Sequence, residues 1–335
     1  MTGALEILRI GPGASLQDLG RPGMLRMGLS KGGAADPLAH FEGAAILGQP
    51  LDLASLEMPA MGGQFRASRD IRFALTGAPM AAKIGSNPAQ NNASHLLRAG
   101  EILTIGAATS GVYGYLHVGG GLSLGRTLGA SSAHIGAGLG RYLNAGEMVP
   151  IGEDTGHSVG QKLSVVPRFS GGPVRVLPSA QTHLFEAEVK ARFERTTFTR
   201  DARANRMGVR MKPDGPGFAN AEGLRILSEI ILPGDIQMTG DGAPYILMAE
   251  CQTTGGYPRI GQVIGCDLPI VAQAPAGAKV TFEFVTRADG FRLERAHAAH
   301  CSALPSLLEP LVRDPADVRD LLSYQLISGV VSSDD

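Results

Sequence analysis

GDIQMTGDGAPYILMAECQTTGGYP, residues 234–258, sets short apolar runs between turns that carry glycine or proline. The run Ile246–Ala249 is too short for a helix and lies after such a turn, so it reads as a buried strand. It delivers the chain to Gln252-Thr253-Thr254-Gly255-Gly256-Tyr257-Pro258, where amide, hydroxyl and phenol groups sit beside two glycines. Paired glycines admit otherwise strained dihedrals and leave N–H groups unshielded, so this turn can donate to a carboxylate, a phosphate or a developing oxyanion. The plainer reading of the same residues is a polar hairpin.

The short-strand pattern recurs on both sides of this stretch. Ile71, Phe73 and Leu75 alternate with the period of a half-buried strand, as do Val280, Phe282 and Phe284, and Val174–Leu177 is another short apolar run. Glycine, at 46 of 335 residues, is about twice its ordinary usage, which suits many tight turns rather than long helices. A mainly β chain with a few short helices follows. Asp36, Pro37 and Gly48 mark the cap, first position and end of one helix, with Leu38, Phe41 and Ala45 on its buried face. Phe185, Val189 and Phe193 predict a second from about Gln181 to Phe193. Asp314 and Pro315 open a third, with Val318, Leu321, Leu322 and Gln325 able to face a neighbour. Glu153–Gly172 is rich in Gly, Ser and Pro without apolar period and reads as a linker. The length exceeds what one core usually sustains, so the division expected is 1–170, 171–287 and a helical C-terminal tail over 288–335.

Composition narrows the function. A globular chain is expected from 44% hydrophobic and 18% charged residues. A net charge of −1 with scattered basic residues argues against a nucleic-acid partner. Membrane insertion is not expected, since no apolar run approaches the roughly 20 residues of a membrane helix. Met1–Gly11 carries no basic leader, and a cytoplasmic location is the expectation. Cys251, Cys266 and Cys301 lack metal or disulfide spacing, and the eight histidines show no HExxH pattern, so no metal is expected. Cys251 ends an apolar strand without an evident base, which suits a buried thiol better than a nucleophile.

Other polar clusters each have two readings. Gln17-Asp18-Leu19-Gly20-Arg21-Pro22-Gly23 is either a turn in which Asp18 pairs with Arg21, or an arginine fork for a substrate anion. Asn205-Arg206-Met207-Gly208 and Ser228-Glu229 are either ordinary loops or further polar contributors. Gly119-Gly120-Gly121 lacks a following GKS or GKT and is not a P-loop. His117, inside Leu116-His117-Val118, reads as a strand residue.

Taken in order, QDLGRPG at 17–23, GGAAD at 32–36, LTGAP at 75–79, YLHVGGG at 115–121, LGRYLNAGE at 139–147, NRMG at 205–208 and the 234–258 stretch resemble the carboxyltransferase A–B domain family, which includes KipA and the C subunit of 5-oxoprolinase. The resemblance covers about residues 5–287. It implies two cyclophilin-like β-barrel domains and a KipI-like partner subunit. With that partner, ATP would activate the carbonyl of 5-oxoproline or a similar small amide, before hydrolysis by a lactam-hydrolase subunit. It leaves two alternatives behind that leading reading: carboxyl transfer from biotin on a separate carrier, as in urea carboxylase, and a non-catalytic KipA-like regulator. The positions that the resemblance assigns to catalysis are Tyr257, Thr254, Gln252 and Asp18, with Tyr257 donating to the carbonyl oxygen. Those assigned to substrate binding are Gln17, Arg21, Arg206, Gln237, Thr253, Gly255 and Gly256. The chain departs from the family where LGSRST is replaced by Leu128-Gly129-Ala130-Ser131-Ser132-Ala133, where Glu250 stands for an aspartate, and where Thr239 stands for a proline. The first of these removes an arginine that could contact an anion.

Overall fold

The computed structural model describes residues 3–218 and 226–312. Its architecture is mainly β, as the sequence pattern indicates. In the first half, Met148–Pro150, Ala4–Ile10, Gly63–Ala67, Ile102–Ala108, Met80–Ile84 and Asn87–Ala89 form a six-stranded sheet in that order. Ser15–Gln17, Ser55–Pro59, Tyr113–Val118, Ile71–Gly77 and Ser94–Leu97 form a five-stranded one. Leu5, Ile7, Phe65 and Leu103 from the first sheet pack with Leu56, Phe73, Leu75 and Leu116 from the second in one core.

The second half closes on itself. Gly171–Leu177, Arg259–Val263, Asp235–Met238, Pro244–Leu247, Gly208–Pro213, Phe198–Asn205 and Lys279–Phe284 form a seven-stranded barrel. Closure is made by a parallel pairing of the first and last of these strands, with Gly171 opposite Lys279 and Val176 opposite Phe284. Phe193, Phe198, Phe218 and Phe282 fill its interior, with Phe193 and Phe282 stacked at 4.9 Å. Ala34, Ala35, Tyr113 and Tyr115 of the first half join the same cluster, so the two halves share apolar packing.

The helix Pro37–Leu47 forms as its local signals require. Asp36 accepts from Ala39 N at 3.1 Å, Pro37 opens the first turn, and Gly48 ends it at φ 60°, a left-handed conformation that glycine adopts without a Cβ penalty. It buries more than one face because it lies between the five-stranded sheet and the segments around Leu163 and Leu304. That explains a departure in strand Ile71–Gly77. Alternation predicts one buried face, but the helix covers the other, and all seven residues are buried. The second expected helix is split into a 3-10 turn at Thr182–Leu184 and a helix at Ala187–Arg195. A helix at Arg287–Ala303 begins the expected helical tail. The helix expected from Asp314 lies outside the described residues. The segment read as a linker holds anchors: Leu163 is in a core, Arg72 pairs with Asp154 at 2.6 Å, and Arg168 is buried against Asp36 and Glu42. Among the described residues no helix is long and apolar enough to cross a membrane.

Two glycine-bearing segments, 18–20 and 31–33, cross at backbone contact. Ala34 N donates to Asp18 O at 2.8 Å and Arg21 N to Lys31 O at 2.7 Å. Gly33 has φ +86°, and a Cβ there would stand 2.6 Å from Gly20 N. Gly33→Ala is therefore expected to cost on the order of 2 kcal/mol, combining left-handed strain with a backbone clash. Gly100, at φ +82° with nothing within 4 Å of such a Cβ, is the comparison site. Gly100→Ala should lose only the strain, about 1 kcal/mol. Urea unfolding of the two variants measures the difference, and equal losses would show that the crossing tolerates a methyl group.

Candidate functional site

The tip of the hairpin joining Phe198–Asn205 to Gly208–Pro213 reaches across to the first half. Asn205 Oδ1 accepts from Met207 N at 2.8 Å and so shapes the turn. Arg206 then points inward, 8% exposed, and donates to Glu250 Oε1, to Glu57 Oε1 and to Gly33 O, each at 2.5 Å. Burial opposes its charge, but Glu57 and Glu250 outweigh burial and hold its pKa above the ordinary value. Glu57 also accepts from Tyr115 Oη at 2.7 Å and from Ala35 N at 2.8 Å, so one guanidinium fork ties a carboxylate of each half to a glycine carbonyl.

Beside this cluster lies a cavity of about 510 Å³. Gly28, Leu29 and Ser30 line one side, His134, Gly136 and Ala137 another, and Met207 with Glu250–Thr254 the third. His134 Nε2 is 2.8 Å from Ser30 Oγ, and its Nδ1 is 3.9 Å from Glu250 Oε2. Burial lowers the imidazole pKa although Glu250 pulls it upward, which favours the neutral ring. Burial, with Asp235 adding to it, pushes the Cys251 thiol up to about 12, which leaves it protonated and a poor nucleophile.

The structure separates the residues singled out from the sequence. Gln252, Thr253 and Thr254 line the cavity. Gly255 lies in a short strand with Thr254, paired to Glu229–Ile230, and Gly256 follows it. Tyr257 is 51% exposed and lies outside the cavity lining. Gln237 is buried beside Gly255, and its Nε2 has no hydrogen-bond partner among the described residues.

Gln17, Asp18 and Arg21 are buried and absent from the lining. Arg21 does not pair with Asp18, and its guanidinium donates to groups of the protein. Its Nε donates to Thr127 O at 2.8 Å and its Nη2 to Ser132 O at 2.6 Å. Asp18 accepts from Gly20 N and Ser131 N, and Gln17 Nε2 donates to Ser15 Oγ at 2.9 Å and Ala133 O at 3.3 Å. All three grip the backbone of residues 127–133, which presents His134 to the cavity. The reason is topological: the partners of the guanidinium of Arg21 lie more than a hundred residues away, and all but the Ser132 hydroxyl are backbone carbonyls, which no side-chain motif reveals. Ser30 and His134 carry no signal in the sequence for the same reason, whereas Glu250 stands out there only as a departure.

A closed barrel and two neighbouring sheets send loops to one polar cavity. Residues 27–284 match the family described as carboxyltransferase domain, subdomain A and B, and the chain belongs to that family. It is similar to the C subunit of 5-oxoprolinase from Haemophilus influenzae, 33% identical over 309 residues, covering 91% of this chain and 99% of that protein. It is also similar to the C subunit of 5-oxoprolinase from Escherichia coli, 32% identical over 282 residues, covering 83% and 90%. Both names are those of subunits, parts of a multi-subunit enzyme. The crystal structure of the Kluyveromyces lactis urea carboxylase shares the fold at a TM-score of 0.79 and 21% identity, over 93% of this chain and 31% of that one.

Proposed function

We propose that this chain is a subunit of an ATP-dependent enzyme that, with a KipI-like partner, activates the carbonyl of 5-oxoproline or a similar small amide for hydrolysis by a lactam-hydrolase subunit. The observation that carries the proposal is similarity to the C subunit of 5-oxoprolinase along almost the full length of both chains. The cavity supports it: about 510 Å³ suits a small molecule, and Gln252, Thr253 and Thr254 offer amide and hydroxyl groups to a carbonyl. Gln17, Asp18 and Arg21 serve in this reading as positioning residues for the His134 loop.

ATP fits this cavity poorly. Among the described residues its lining includes the carboxylate of Glu250 and neither lysine nor arginine, while a triphosphate calls for cations or a run of free N–H groups. Nucleotide binding is therefore assigned to the partner subunit or to a surface shared with it.

The test is to purify the chain with its partner and measure phosphate release. Release is expected only when ATP, partner and amide are all present. Thr254→Ala should reduce it by roughly 10²-fold, the size of a lost transition-state donor, with partner binding retained. Undiminished release in that variant would remove Thr254 from the site. A tight complex without amide-dependent release would favour a regulatory role. The fold shared with urea carboxylase supports biotin-dependent carboxyl transfer as the second reading, and inhibition by avidin would favour it.

A further inference from the structure

Three chemically complementary groups from remote segments meet on the cavity wall. Ser30 comes from the loop after Leu25–Met27, His134 from the loop that Arg21 grips, and Glu250 from the turn after strand Pro244–Leu247. Ser30 Oγ lies 2.8 Å from His134 Nε2, and Glu250 Oε2 lies 3.9 Å from His134 Nδ1. The carboxylate is itself held, by Arg206 on Oε1 and by Ile135 N on Oε2 at 3.1 Å. We propose that Ser30 is a nucleophile for acyl transfer, activated by His134 and oriented through Glu250, and that it accepts the acyl group of a small carboxylic acid derivative with an activated carbonyl. The proposal shares with the proposed function only the premise that this cavity is the ligand site.

The competing account is a buried serine–histidine pair with no task beyond packing. Against it stands the second ring nitrogen. His134 Nδ1 is buried and has no hydrogen-bond partner among the described residues; the same holds for His117 Nδ1, but of the two only His134 Nδ1 faces a carboxylate, Glu250 Oε2 at 3.9 Å. Facing a carboxylate, Nδ1 is the nitrogen that carries the proton in the neutral ring, which leaves the Nε2 lone pair to accept the Ser30 hydroxyl. This is the order of groups that activates serine in acyl transfer. The 3.9 Å gap is of the kind that closes when a ligand compresses the site.

In the step, Ser30 Oγ bonds to the carbonyl carbon and its proton passes to His134 Nε2. The bond from that carbon to the leaving oxygen or nitrogen breaks, and the leaving group takes the proton from Nε2. Water then attacks the acyl carbon and gives one proton to Nε2, and Ser30 Oγ departs with that proton, releasing the carboxylic acid. The Gln252 amide and the Thr253 and Thr254 hydroxyls line the same cavity as donors for the oxyanion.

A fluorophosphonate, which modifies activated serines, is the probe, applied to the full chain and followed by peptide mass spectrometry. The expected adduct is on Ser30, forming roughly 10²-fold more slowly in His134→Gln. Its rate in the wild type should rise with pH through a midpoint below the ordinary histidine value, because burial disfavours the imidazolium. Glu250 opposes this shift and Arg206 and Arg21 reinforce it. Absence of a Ser30 adduct overturns the proposal, as does an adduct rate unchanged in His134→Gln. If that variant does not fold, a wild-type rate that stays flat between about pH 5 and 8 overturns it instead. The labelling needs neither ATP, partner nor amide, so its failure and the failure of the turnover assay are distinguishable.

Discussion

Arg206→Ala is expected to lower the unfolding free energy by about 3–5 kcal/mol, the size of effect found when a buried ion pair loses one partner. Glu57 is fully buried and Glu250 5% exposed, so both carboxylates would stay in the interior without their shared counter-charge. Gly33 O would lose its donor as well. Arg206→Lys keeps a charge but one ammonium cannot reproduce three contacts in the plane of a guanidinium, so it should fall between wild type and alanine. Urea midpoints at neutral pH measure this, and a loss under about 1 kcal/mol would mean that water reaches the two carboxylates. Because Arg206 also fixes Glu250, Ser30 labelling should slow in any folded Arg206 variant.

Arg168→Ala is expected to be comparably damaging, about 3–5 kcal/mol for the same reason. Its Nε donates to Asp36 at 2.8 Å and its two terminal nitrogens to Glu42 at 2.9 and 2.8 Å. Asp36 additionally caps Pro37–Leu47 and accepts from Gln273 Nε2 at 2.9 Å, so this cluster joins helix, inter-half segment and barrel side. Two carboxylates share one guanidinium here. Asp36 and Glu42 outweigh burial in holding the Arg168 proton, while burial raises the Glu42 carboxyl to about 7 although Arg168 draws it down.

The pH dependence has a definite sign. A carboxyl raised on folding contributes stability below its unfolded value near 4.5, and that contribution is lost as pH rises through about 7. Removing Arg168 takes away the group that favours Glu42 ionisation and extends the loss to higher pH. The destabilisation by Arg168→Ala should therefore be larger at about pH 8 than at about pH 5. Equal losses at the two values would mean that Glu42 does not titrate with folding.

The sequence was most legible where structure depends on neighbours within a few residues. Asp36, Pro37 and Gly48 determine the bounds of their helix because cap, fixed φ and positive φ are local properties. Short apolar runs and abundant glycine determine a mainly β chain, and the ordered motifs determine the family. Partial failures follow the same logic. Phe185 and Phe193 share the barrel core with a break between the 3-10 turn and the helix, so their spacing reported burial rather than one continuous helix.

The site was decided at longer range. The residue type of Arg21 is plain in the sequence, but its use is set by carbonyls at 127–132. Ser30 and His134 are 104 residues apart, and Glu57 and Arg206 are 149 apart. Side chains that distant meet only after the sheets have paired and the barrel has closed, and the register of that closure depends on the summed packing of many strands. The chain by itself therefore determines which segments become strands, turns and the capped helix, through short-range dihedral preference and apolar periodicity. Which polar groups face one another across the cavity is determined by the tertiary structure, because burial and long-range pairing fix their distances.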